Sequence, residues 1–194
     1  MDFSLWFKTG LEHIADLNAY DHILFLMVLC GTNQFSEIRK VLILVTAFTI
    51  GHSLTLALSV FKLMLLSPAL VEFLIPVTIL LTCIFQFINR NAAGSLTVYA
   101  SYMSALFFGF IHGLGFSGLL RSMLGKSEEI TGPLFAFNLG LEAGQIVIVI
   151  CVMIFSVVLT RIMNIKRETW NFFLTSAVFG VAFVMAAERL GELI

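Results

Sequence analysis

Six apolar segments, most of them near the length of a membrane crossing, constrain this chain more than any other feature. They cover roughly residues 19–31, 40–65, 69–88, 99–123, 133–161 and 169–187. A helix crosses the hydrocarbon core of a bilayer with about 20 mostly apolar residues. Residues 99–120 hold no Asp, Glu, Lys or Arg at all. The chain as a whole is 59% hydrophobic and 12% charged, where a soluble domain carries about a quarter charged residues. The pattern predicts an all-α integral membrane protein, a single transmembrane domain over residues 1–194 with a bundle of about six helices.

The connectors carry loop signals: TNQFSEIRK, LSP, NRNAAGS, GKSEEITGP and NIKRE. The first segment is short, and residues before Tyr20 are candidates to extend it. Residues 3–12 (FSLWFKTGLE) mix apolar and polar positions and read as an interfacial helix. Asp2, Lys8, Glu12 and Asp16 interrupt the first 20 residues, so no cleavable signal peptide is expected there. With a net charge of −1 and no basic run, nothing suggests nucleic acid; the expected partners are a lipid bilayer and a metal ion. Cys30, Cys83 and Cys151 stand apart in apolar segments and form no paired metal motif. The string GLGFSG (113–118) matches G-x-G-x-x-G, but it lies inside a span with no strand before it, so it is not a dinucleotide fingerprint.

The polar residues inside the spans carry the functional signal. Of four histidines, His22, His52 and His112 fall within or at the edge of a span. Asn138, Glu142 and Gln145 follow one another on one helical face of the fifth. At about 1.5 Å per residue, His52 and His112 lie roughly 18 and 20 Å from the inner ends of their spans, and Glu142 roughly 14 Å below its outer end. Asp21, His22 and Glu72 sit at outer ends. These groups share a slab from mid-membrane to the outer face, and an intramembrane carboxylate marks a functional site by default. Imidazoles and a carboxylate converging in a bundle suit a divalent transition metal such as Ni²⁺ or Zn²⁺. The expected ligands are His22, His52, His112, Glu142 and Asp21. His13, Ser53, Glu72, Asn138 and Gln145 form a second tier.

The motifs GLEHIADLNAYDHILF (10–25), TAFTIGHSLTLAL (46–58), VEFLIP (71–76), FGFIHGLGFSGLL (108–120) and FNLGLEAGQ (137–145) resemble those of the HupE/UreJ family. These are membrane proteins associated with hydrogenase and urease clusters and proposed to be nickel permeases. The resemblance runs over nearly the whole chain and implies metal handling through Asp21, His22, His52, His112 and Glu142. The interval from His13 to Asp21 is longer than in the family's nickel permeases, and no second histidine follows His112. Two functions stay open on this basis. One is a metal permease. The other is an intramembrane zinc hydrolase acting on a lipid, similar in its site to ceramidase-type enzymes, with Glu142 or Asp21 as base and Ser53 nearby.

Orientation follows the placement of Lys and Arg. The pairs Arg39–Lys40 and Lys166–Arg167 put their loops inside and both termini outside, in the periplasm of a bacterial inner membrane. Cysteine-accessibility labelling is expected to find residues 33–39 and 163–168 on the same side of the membrane; labelling from opposite sides would overturn the six-span topology.

Overall fold

The computed structural model describes residues 2–17, 19–31, 33–63, 66–89, 95–124 and 130–193, and every regular element among them is helical. These are α1 (Phe3–Ile14), α2 (Asp21–Cys30), α3 (Ile38–Val60), α4 (Pro68–Ile88), α5 (Ser95–Leu124), α6 (Thr131–Val157) and α7 (Arg167–Leu193). A 3₁₀ turn at Phe35–Glu37 leads into α3, and a π segment at Val158–Ile162 ends α6. Five helices are long and apolar enough to cross a membrane, and α2 is a shorter apolar helix. Arg90 and Lys126, and most of the two connectors that hold them, lie outside the described residues.

Local chemistry sets the ends. Asp2 caps α1 by accepting the backbone N–H groups of Ser4 and Leu5 at 3.1 and 3.3 Å. Ser67 caps α4 through Leu70 N–H, with Pro68 in the first turn, where its missing N–H costs nothing. α3 stops at Val60, short of the expected residue 65, because Lys62 turns to φ 59°. That left-handed residue lets the N–H groups of Lys62 and Leu63 close back on the Ser59 and Leu58 carbonyls.

Two helix pairs touch at their backbones. A Cβ on Gly51 would strike the Leu106 carbonyl oxygen, and one on Gly109 the Phe48 carbonyl oxygen, so α3 and α5 run side by side in parallel. A Cβ on Gly10 would strike the Phe137 carbonyl oxygen, and one on Gly140 the Phe7 carbonyl oxygen. Small residues at such contacts let helices approach closely where lipid offers no hydrophobic drive between them. Gly109 and Gly113 admit the α3 backbone at Phe48 and His52, and Gly140 and Gly144 form a packing face against Phe7 and Ile14.

These contacts reveal the form of the first crossing. Phe7 lies beside Gly140, Ile14 beside Gly144 and Gly31 beside Val152. α1 and then α2 descend along α6 as one discontinuous span, broken between the end of α1 at Ile14 and the start of α2 at Asp21. The expected interfacial helix is α1. Lys8 and Glu12 occupy its exposed face, while Trp6, Gly10 and Ile14 are buried on α6. Beyond the break, α2 is apolar on all sides and buries Phe25, Leu26, Val28, Leu29 and Cys30 at the bundle centre, as a helix surrounded by others requires.

Opposite ends are tied by polar contacts. Arg189 reaches Glu72 at 2.9 Å, joining the end of α7 to the start of α4, and Arg167 reaches Glu37 at 3.3 Å at the other end.

Replacing Gly109 with Ala is expected to destabilise the bundle by about 1–3 kcal/mol, the usual effect of overpacking. Gly180 has nothing within 4 Å of an added Cβ, so Gly180→Ala should leave the thermal midpoint in detergent unchanged or slightly raised. Equal midpoints for the two variants would refute the backbone contact.

Candidate metal centre

The break in the first crossing brings the histidines together. His13 ends α1, Asp21 and His22 begin α2, His52 lies on α3 and His112 on α5. Ring centres stand 4.9 Å apart for His13 and His22, and 4.9 Å for His22 and His112. His13 and His52 are 6.0 Å apart, and His22 and His52 6.2 Å. All four histidines of the chain therefore share one cluster, drawn from four helices. The parallel contact of α3 with α5 sets two of them level, because Gly113 lies against the His52 carbonyl.

The surroundings are apolar and aromatic. Phe116 lies 4.0 Å from the His13 ring, with Phe137 stacked on Phe116 at 4.8 Å. His22, His52 and His112 are almost wholly buried, at 4%, 0% and 1% exposure. Buried polar atoms normally find partners, yet several ring nitrogens here have none: Nε2 of His13, Nε2 of His22, both nitrogens of His52 and Nε2 of His112. His112 Nδ1 meets the Phe108 carbonyl oxygen at 2.9 Å. Donation by Nδ1–H there leaves Nε2 with the lone pair and without a partner. Asp21 Oδ1 accepts the His22 backbone N–H at 2.7 Å and stands 2.9 Å from His22 Nδ1, without a linear hydrogen bond to the ring.

Imidazole nitrogen is the donor type that borderline divalent ions take. A nitrogen bound at about 2.0–2.1 Å puts ring centres about 5 Å apart around a tetrahedral ion; the observed separations bracket that spacing. Among the described residues no group of three or more His, Cys, Asp or Glu side chains is arranged to hold a metal ion as it stands. Rotation of the rings about their side-chain torsions would have to turn the free nitrogens toward one point.

The other expected residues make hydrogen bonds or ion pairs of their own. Glu142 accepts the Thr46 hydroxyl at 2.8 Å, on a flank where Thr46 is exposed. Gln145 accepts the Thr49 hydroxyl at 2.6 Å. Ser53 donates to the Thr49 carbonyl of its own helix at 2.6 Å, and Asn138 donates to the Leu134 carbonyl at 2.8 Å. Glu72 pairs with Arg189. His13, in the second tier by sequence, joins the cluster, and Glu142, in the first, is engaged by Thr46. The polar segment around His13 hid it: only the fold of α1 along α6 carries that side chain inward.

An open cavity of about 440 Å³, lined by Thr9, Glu12, His13, Asp16 and Phe116 among others, reaches the cluster from the end of the bundle that holds the termini. A second, of about 360 Å³, opens at the other end between Glu37, Lys40 and Arg167 and runs inward past Asn33, Gln86 and Ser104.

Comparison with curated proteins found no match, and comparison with solved structures found none. The family model described as HupE / UreJ protein matches residues 1–189, nearly the whole chain and every element that carries a histidine. The chain belongs to the HupE/UreJ family.

Proposed function

We propose that this protein is a permease for a divalent transition-metal cation, nickel or cobalt before zinc, working in a bacterial inner membrane with both termini in the periplasm. The observation that carries this reading is the meeting of four imidazoles, with unpartnered buried nitrogens, at the break of a discontinuous crossing. Transporters commonly place substrate sites where a membrane helix is interrupted. In this reading the ion enters past Glu12 and Asp16, loses water, and is held by His13, His22, His52 and His112. Asp21 supports His22 from behind. Neutral imidazoles bind such ions without thiolate tenacity, which suits release.

The polar cavity at the opposite end supports transport over hydrolysis, since an enzyme needs access from one side only. Of the groups a hydrolase would use, Ser53 is bonded to its own helix and Glu142 to Thr46, and Asp21 alone stands beside a histidine.

Elemental analysis and Ni²⁺ or Co²⁺ titration of purified protein test the site. One ion per chain is expected. His112→Phe, which keeps the apolar volume, should abolish stoichiometric binding with the bundle still folded, and Asp21→Asn should weaken binding by about 10–100-fold. Full occupancy in His112→Phe would defeat the proposal.

Binding requires the rings to be neutral, so protons compete with the ion. Ni²⁺ affinity should therefore fall, and never rise, as the medium is acidified; tighter binding at low pH would count against histidine ligation.

A further inference from the structure

Three helices repeat one arrangement on their way from the histidines to the opposite cavity. On α2 the order is His22, Phe25, Leu29; on α3 it is His52, Phe48, Leu44; on α5 it is His112, Phe108, Ser104. Steps of three and four residues keep each trio on one helical face. α2 runs away from the terminal face and α3 and α5 run toward it, so the three trios descend in the same direction. The first members meet in the histidine cluster. The third members, Leu29, Leu44 and Ser104, line the cavity at the other end.

Among the middle members, Phe25 touches both of the others. The Phe25 ring stands 5.1 Å from Phe48 and 5.7 Å, nearly perpendicular, from Phe108. On the histidine side, Phe25 and Phe48 lie 5.6 and 5.3 Å from His112, and Phe48 lies 6.0 Å from His52. On the cavity side Phe108 is part of the wall. Phe25 and Phe48 are fully buried and Phe108 is 6% exposed. One layer of three rings therefore separates the histidines from a water-accessible, polar chamber.

We propose that Phe25, Phe48 and Phe108 form the inner gate of the permeation path, and that the cavity beyond them is the vestibule where the released ion regains water. This rests on the permease reading above. A dry aromatic constriction stops a divalent ion, because no group in it replaces the hydration shell. Beyond it, Thr82, Gln86 and Ser104 offer oxygen atoms that can support a hydrated cation, and Glu37 offsets the charges of Lys40 and Arg167 at the mouth. Phe108 is the ring placed to move. It alone of the three borders the chamber, where a swing has room, and its carbonyl oxygen holds His112 Nδ1. A turn of His112 on loading would pull on the residue whose side chain closes the exit.

Proteoliposomes loaded with a metal-sensitive dye test this with Phe108→Ala. The variant should keep Ni²⁺ binding, since no ligand is lost. It should pass Ni²⁺ faster than the parent and admit Mg²⁺, which the parent excludes. A cysteine at position 104, in a chain whose three native cysteines are replaced by Ala, gives a second measurement that needs no transport. An impermeant thiol reagent should label it from the side of residues 33–39. From the terminal side labelling should rise at least about tenfold only when Phe108→Ala is added. Unchanged flux, unchanged selectivity and unchanged labelling in a variant that still binds Ni²⁺ would overturn the gate while leaving the permease standing. Ni²⁺ binding without uptake by the parent chain would remove the permease, and the gate with it. Should Phe108→Ala not fold, Phe25→Leu and Phe48→Leu carry the same labelling test, and protection equal to the parent in both would refute the gate.

Discussion

The contact of bare backbone at four glycines governs everything that follows in this bundle. In lipid, helices gain little from hiding apolar surface, so close van der Waals approach decides which of them pair. Gly51 and Gly109 seat α5 on α3, and that seating brings His112 level with His52. Gly10 and Gly140 seat α1 on α6. Without that second contact, a short helix with Lys8 and Glu12 on its face would have no reason to stand against a span. His13 would then remain outside the bundle.

A break in a membrane helix leaves backbone groups without helical partners, which hydrocarbon does not tolerate unless protein or a water-filled cavity surrounds them. Here the break faces an open cavity on one side and the histidines on the other. The Asp21 carboxylate receives the His22 N–H in the first turn of α2, where the helix dipole favours a negative charge. The same carboxylate stands beside His22 Nδ1. One residue thus starts the buried helix and presents an imidazole, which links the fold of the first crossing to the chemistry of the site.

Much of this was legible in the residues. The apolar segments gave the spans to within a few positions, and α4 ends at Ile88 as the sequence predicts. His22, His52 and His112 were marked by their rarity in apolar surroundings, and they meet. Glu142 carried the same signal for a different reason: Thr46, a residue with no mark of its own, supplies a hydrogen bond that accounts for a carboxylate at that depth. A pairing between helices so distant in the chain leaves no local pattern. The spacing of Phe25, Phe48 and Phe108 one turn from their histidines is visible in the sequence. In a chain with 20 phenylalanines it acquires meaning only when three helices align.

The sequence by itself determined that the chain is helical and membrane-embedded, because transfer of long apolar segments out of water is a property of composition and length alone. It also determined which few residues are too polar for those segments to hold without a purpose. Tertiary structure alone decided which of them share a site. His13 joins the other histidines and Glu142 meets Thr46, since those meetings depend on which backbones touch at Gly10, Gly140, Gly51 and Gly109. Those contacts form between residues far apart in the chain, where no local periodicity records them.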